Sequence, residues 1–130
     1  MYTDFREEKD ARDPDTYKVI GACMAVHSKL GSGFLEIVYK EALELEFALC
    51  GIPAEREVEF SITYRDTLLR STFVADFVCF GSVLFEAKAL ERLVPANTAQ
   101  VLNYMKASGL RKALLVNFGG PSLEYKRFVL

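Results

Sequence analysis

Two apolar runs separated by Gly81-Ser82 constrain this chain more than any other feature. Thr72 to Phe80 and Val83 to Lys88 are rich in Phe, Val and Leu. The Gly-Ser pair between them is a turn signal, so the stretch reads as a β-hairpin. Apolar residues occupy consecutive positions (Phe73 and Val74, Phe77 and Val78, Leu84 and Phe85), the pattern of strands covered on both faces. Into this hairpin the sequence sets Asp76, Glu86 and Lys88. Side chains alternate along a strand, so Asp76 shares a face with Val74 and Val78, and Glu86 with Leu84 and Lys88. A three-residue loop centred on Gly81 puts positions 76 and 86 opposite each other, and the three charges converge.

Asp, Glu and Lys are rarely buried unless paired or bound to metal. Two adjacent carboxylates repel unless a proton or cation sits between them. One reading is a structural lysine–carboxylate cluster at the rim of the sheet. The favoured reading is that Asp76 and Glu86 hold a hard divalent cation such as Mg²⁺, which takes oxygen ligands and keeps several waters. Lys88 then serves the reacting water or a phosphate.

The rest of the chain supplies layers around that hairpin. Residues 1–12 are polar and mixed in charge, and are expected to be loosely held. Asp13-Pro14 starts a helix, with Asp as cap and Pro in the first turn, and Gly31 ends it. A second helix is expected over 34–50, with Leu35, Val38, Tyr39, Ala42, Leu45 and Leu49 as its apolar stripe and Gly51 as its stop. Residues 55–64 alternate polar and apolar, a half-exposed strand, and Arg65-Asp66 makes a turn. A third helix is expected over 98–108, capped by Asn97 and stopped by Gly109. A buried strand at 112–118 and a final edge strand at 123–130 follow. The 83–88 strand, third helix and 112–118 strand form a parallel crossover. The result is one α/β domain over 13–130, a sandwich around a mixed sheet of about five strands.

Composition narrows the class. With 16 Lys+Arg against 18 Asp+Glu, the net charge is −2, which argues against tight, general nucleic-acid binding but allows a local basic patch. Cys23, Cys50 and Cys79 lie in apolar contexts without metal spacing, and are expected as buried thiols in a reducing compartment. The charged first residues lack the apolar core of a signal peptide. No apolar run reaches the roughly 18 residues of a membrane span. A cytoplasmic protein is the expectation.

Gln100 and Tyr104 are four apart and share a helix face that can look toward the charged cluster. Gln can orient a water or contact phosphate, and Tyr can donate to phosphate or stack on a base; a solvated face is the plainer reading. Glu36 near a helix start has a dipole explanation, or adds a third carboxylate. His27, the only histidine, sits near a helix C-terminus, where a local role is at least as well motivated as a catalytic one. A Ser/His/Asp triad and phosphate-binding glycine loops find no matching motifs.

Taken together, Asp76, then Glu86-Ala87-Lys88 ten residues on, then a helix carrying Gln100-Val101-Leu102-Asn103-Tyr104, resemble the PD-(D/E)XK nuclease superfamily. Gly33-Phe34-Leu35-Glu36-Ile37-Val38-Tyr39, preceded by Val26-His27 and Leu30-Gly31, resembles the signature of its small GxxExxY proteins. The resemblance implies a restriction-endonuclease-like three-layer sandwich. It further implies that Asp76 and Glu86 are metal ligands, with the Ala87 carbonyl as a third, for Mg²⁺ or Mn²⁺. Lys88 would orient or activate the attacking water, Glu36 would join the site, and Gln100 and Tyr104 would match a motif of recombination and phage exonucleases. Ala75 stands where the superfamily's name has Pro. The expected function is metal-dependent phosphodiester hydrolysis of nucleic acid, DNA over RNA. The alternatives are a non-catalytic nucleic-acid-binding or regulatory subunit, and an enzyme of another phosphorylated substrate. A protein partner supplying substrate grip and a homodimer paired through the 123–130 edge complete the expectations.

Overall fold

The computed structural model describes residues 6–8 and 13–130. In chain order the elements are β1 (Arg6–Glu8), α1 (Pro14–Leu30), α2 (Glu36–Leu49), β2 (Ala54–Tyr64), β3 (Thr67–Cys79), β4 (Val83–Lys88), α3 (Pro95–Ser108), β5 (Lys112–Asn117) and β6 (Glu124–Val129). The strands form one mixed sheet in the order β1-β6-β5-β4-β3-β2, in which β4 and β5 are parallel and every other pair is antiparallel. The β4–α3–β5 crossover is thus as expected.

Three layers result. On one face α1 and α2 pack against Phe77, Cys79, Val83, Phe85, Ala87, Leu114, Val116 and Phe118. On the other, Val101, Leu102 and Met105 of α3 meet Ala75, Leu84, Ala113, Leu115 and Phe128. The strands β4 and β5 are buried except for a half-buried lysine at one end of each, Lys88 and Lys112, which is why both read as continuous apolar runs.

Local chemistry sets the element ends. Asp13 caps α1 by accepting from the Thr16 amide at 3.0 Å. The β2–β3 loop, Arg65-Asp66, has φ of 50° and 59°, the two left-handed residues of a tight hairpin turn. In the β3–β4 loop, Phe80 and Gly81 take φ of 56° and 66°, and Cys79 pairs with Val83.

Four expectations are corrected. Helix α3 begins three residues early: Val94 is the N-cap and Pro95 takes the first turn, while the Asn97 side chain accepts from the Val94 amide at 2.8 Å. Helix α2 starts at Glu36, because Leu35 is extended at its cap. Cys50 is exposed at the end of α2, its thiol 3.4 Å from a Glu46 carboxylate oxygen, whereas Cys23 and Cys79 are buried. The final strand is not a free edge, since Arg6–Glu8, within the stretch expected to be loose, pair with Arg127–Val129. The strand-edge argument for a homodimer loses its basis along those residues. Residues 1–5 and 9–12 of that stretch lie outside the described ones.

Candidate functional site

The site begins where the β3–β4 ladder stops. Backbone pairing runs only from Cys79–Val83 to Phe77–Phe85. The next opposed pair is Asp76 and Glu86, and there the side chains replace the ladder. Glu86 Oε2 accepts from the Asp76 amide at 2.7 Å, and Asp76 Oδ2 accepts from the Ala87 amide at 2.8 Å. Each acid thus satisfies the backbone of the opposite strand, which fixes both carboxylates and wedges the strands apart.

Strand β3 also turns over at this point. Phe73 stacks on Tyr104 of α3, and Ala75 belongs to the α3-side core, yet Phe77 and Cys79 face α1 and α2. Unbroken alternation would keep all four odd-numbered residues on one face. On β2, Glu57 falls in line with Asp76 between the Arg56–Phe77 and Val58–Ala75 pairs, and its φ is 60°. A non-glycine residue in that region is strained.

Burial makes the acid pair electrostatically costly. Asp76 is 8% exposed and Glu86 4%. The Glu86 carboxyl is pushed up to about 8, by burial first and by the charge of Asp76 second, against the pull of the Asp76 amide and of Lys88. Glu36, first residue of α2, is raised by burial and by Asp76, with Lys88 and Lys40 opposing. The Tyr104 hydroxyl is raised by burial and then by Glu86 and Asp76. Lys88 Nζ donates to Gln100 Oε1 at 3.0 Å, so α3 holds the lysine by the residue four before Tyr104. The fold therefore draws Glu36, Asp76, Glu86, Lys88, Gln100 and Tyr104 into one electrostatically coupled group. Ala87 contributes its backbone beside them.

Two members were not singled out from the sequence. Lys40 Nζ lies 3.1 Å from Asp76 Oδ1, 3.7 Å from Glu57 and 3.9 Å from Glu36. Burial disfavours its charge, but the hydrogen bond to Asp76 and the three acids outweigh that and raise its pKa. Lys40 stands one helical turn after Glu36, a spacing legible in the sequence. Glu57 left no such signal, because its placement depends on the β2–β3 register.

Supporting residues explain the Gly33–Tyr39 segment. The Tyr39 hydroxyl donates to the Gly31 carbonyl at 2.6 Å and accepts from the Phe34 amide at 3.3 Å, and its ring stacks on Phe118 at 5.0 Å. This ties the α1–α2 turn to the sheet and sets the start of α2, where Glu36 stands. On the far side, fully buried Asn117 accepts from Leu90 and Gly119 amides at 2.8 and 3.1 Å and donates to the Leu90 carbonyl and Glu124 at 3.0 and 3.1 Å. It pins the segment leaving Lys88. A methyl at Gly119 would sit 2.1 Å from the Leu90 carbonyl oxygen, so only glycine fits that crossing. His27 lies outside this group of contacts: its Nε2 donates to the Gly120 carbonyl at 3.0 Å and its ring tilts against Phe118. Its role is local packing.

The donor set suits a hard divalent cation. Two buried carboxylates face each other, one held at a raised pKa by burial and by its neighbour's charge, and an ammonium already rests on Asp76. Among the described residues no group of three His, Cys, Asp or Glu side chains is arranged closely enough to surround an ion.

A mixed sheet covered by α1 and α2 on one face and α3 on the other is consistent with a restriction-endonuclease-like fold. The sequence matches the PD-(D/E)XK nuclease superfamily over residues 13–128, and the chain belongs to that superfamily. Among solved structures, the crystal structure of SSO0001 is similar, with a TM-score of 0.50 and 19% identity over 87% of this chain. The likeness shows a shared fold, and this chain spans 64% of that one. No curated protein matches the sequence. Among the described residues, no helix is long and apolar enough to cross a membrane.

Proposed function

We propose that this protein is a metal-dependent nuclease of the GxxExxY group, acting on DNA in preference to RNA. The observation that carries the proposal is the reciprocal clamp at Asp76 and Glu86. It holds two carboxylates together at a cost in repulsion that a purely structural pair would avoid. With the Ala87 carbonyl, these acids would hold Mg²⁺ or Mn²⁺. Such an ion lowers the pKa of bound water and offsets charge gathering on a phosphate.

The chain's own residues supply the rest. Lys88, oriented by Gln100, presents an ammonium to the phosphate or the attacking water. Tyr104 offers a hydroxyl whose raised pKa keeps it protonated and able to donate. Glu36 lies where it can accept a proton from a water beside Asp76, its own pKa raised toward that task.

One observation favours a second reading, a catalytically silent nucleic-acid-binding subunit: the Lys40 ammonium occupies Asp76 Oδ1. A single experiment separates the two. Purified protein is incubated with plasmid and with single strands in Mn²⁺, with and without chelator, beside Asp76→Asn and Lys88→Ala. Cleavage that needs metal and disappears in both variants supports the nuclease. Binding without cleavage, unchanged by the substitutions, supports the silent subunit.

A further inference from the structure

Beyond Ala75 the β2–β3 hairpin runs on without β4 beside it, and α3 packs against its distal half instead. Between them lies a cleft of about 510 Å³ lined by Ile62, Thr63, Phe73, Tyr104, Lys106 and Ala107, with Asn103 completing the wall. That volume falls within the range of small-ligand pockets, roughly 300–1,000 Å³.

The chemistry of the lining is specific. Phe60, Phe73 and Tyr104 stack in sequence, with centroid separations of 5.2 and 4.1 Å and interplanar angles of 18° and 12°. Of these rings Phe73 and Tyr104 line one wall, while Ile62 and Ala107 add apolar surface and Lys106 places an ammonium on the exposed face of α3. Tyr104 belongs both to this wall and to the group around Asp76 and Glu86. Tyr104 is thus the residue through which the cleft adjoins the candidate site.

We infer that this cleft is a nucleotide subsite that takes one unpaired base of the substrate strand, with Lys106 meeting an adjacent phosphate. The inference deepens the nuclease reading and rests on it for the identity of the strand. A planar, largely apolar ligand with an anionic group matches a wall of aromatic and aliphatic surface with a cation at its rim. A base paired in a duplex keeps its faces stacked on its neighbours, so entry requires a single strand, a frayed end or an extruded nucleotide. The subsite accordingly makes the protein prefer unpaired substrate. The bound strand then passes from the cleft along Tyr104 toward the paired acids.

The test is fluorescence anisotropy of a short labelled single strand and of the same sequence as a duplex, in chelator so that nothing is cut. Ala107→Trp fills the cleft from an exposed helical position, and Lys106→Glu reverses the rim charge. The expected result is tighter binding of the single strand by the unaltered protein, weakened tenfold or more in each variant, with Mn²⁺ binding by calorimetry unchanged. Equal affinity for both strands, or single-strand binding indifferent to Ala107→Trp, overturns the subsite. Loss of single-strand binding in the variants of a protein that neither binds Mn²⁺ nor cuts would sustain the cleft and remove the nuclease. Metal-dependent cleavage with indifferent variants would do the reverse.

Discussion

Replacing Glu86 with Gln probes the strain that the site stores. In the folded protein the Glu86 carboxyl is pushed up to about 8, against an ordinary value of 4.5, so the folded state holds its proton more tightly than the unfolded chain. The stability this contributes is complete below pH 4.5 and is lost as pH rises to about 8. Between pH 5 and pH 7 the loss is on the order of 2 to 3 kcal/mol, taking 1.36 kcal/mol per pKa unit. For a domain of this size that is roughly 8 °C in Tm. Glutamine can still accept the Asp76 amide but has no charge to bury. Thermal unfolding in chelator is therefore expected to show the native protein losing on the order of 2 to 3 kcal/mol more than Glu86→Gln over that interval. Saturating Mn²⁺ should restore the native protein at pH 7 and leave the variant unmoved. Parallel pH profiles for the two proteins would refute the claim that Glu86 is held against its charge.

The remaining predictions concern neighbours of that pair. Lys40→Met removes the ammonium from Asp76 and should cost about 2 kcal/mol in chelator while tightening Mn²⁺ binding, as calorimetry would show; unaltered metal affinity would count against Lys40 acting as a resident countercharge. At position 57, where φ is 60°, Glu57→Gly should be more stable than Glu57→Ala by about 1 kcal/mol in denaturant unfolding, since both lose the carboxylate and only glycine relieves the backbone. Asn117→Leu strips the partners from the Leu90 and Gly119 backbone and should destabilise by about 3 kcal/mol; a change under about 1 kcal/mol would show that water replaces them.

Much of this architecture was legible because local chemistry and tertiary structure agree. The Gly81 turn, the doubly apolar runs and the three-residue loop were enough to set Asp76 opposite Glu86, and the fold continues that register. The Asp13-Pro14 start and the parallel crossover follow from equally local signals. What escaped depends on contacts distant in sequence. Lys40 reaches Asp76 only because α2 lies over the splayed strands, and Glu57 meets that lysine only through the β2–β3 register. Strand β3 exchanging faces at Asp76 breaks the alternation that put Val74, Asp76 and Val78 on one face, and the expectation of cover on both faces fails at Val74, which is exposed while Val78 is buried. Asn97 was a reasonable cap by residue type, yet Pro95 fits the first turn better, and the Asn side chain serves the cap from inside. Cys50 lies just past the end of an amphipathic helix, where an apolar neighbour such as Leu49 is itself exposed.

Crystals soaked in Mn²⁺ and measured for anomalous scattering test the central proposal most directly. The expected result is one strong peak bonded to oxygens of both Asp76 and Glu86, with the Lys40 ammonium moved off Asp76 Oδ1 toward Glu57 or Glu36. Density that leaves Lys40 on Asp76, with no manganese between the acids at saturating concentration, would contradict it.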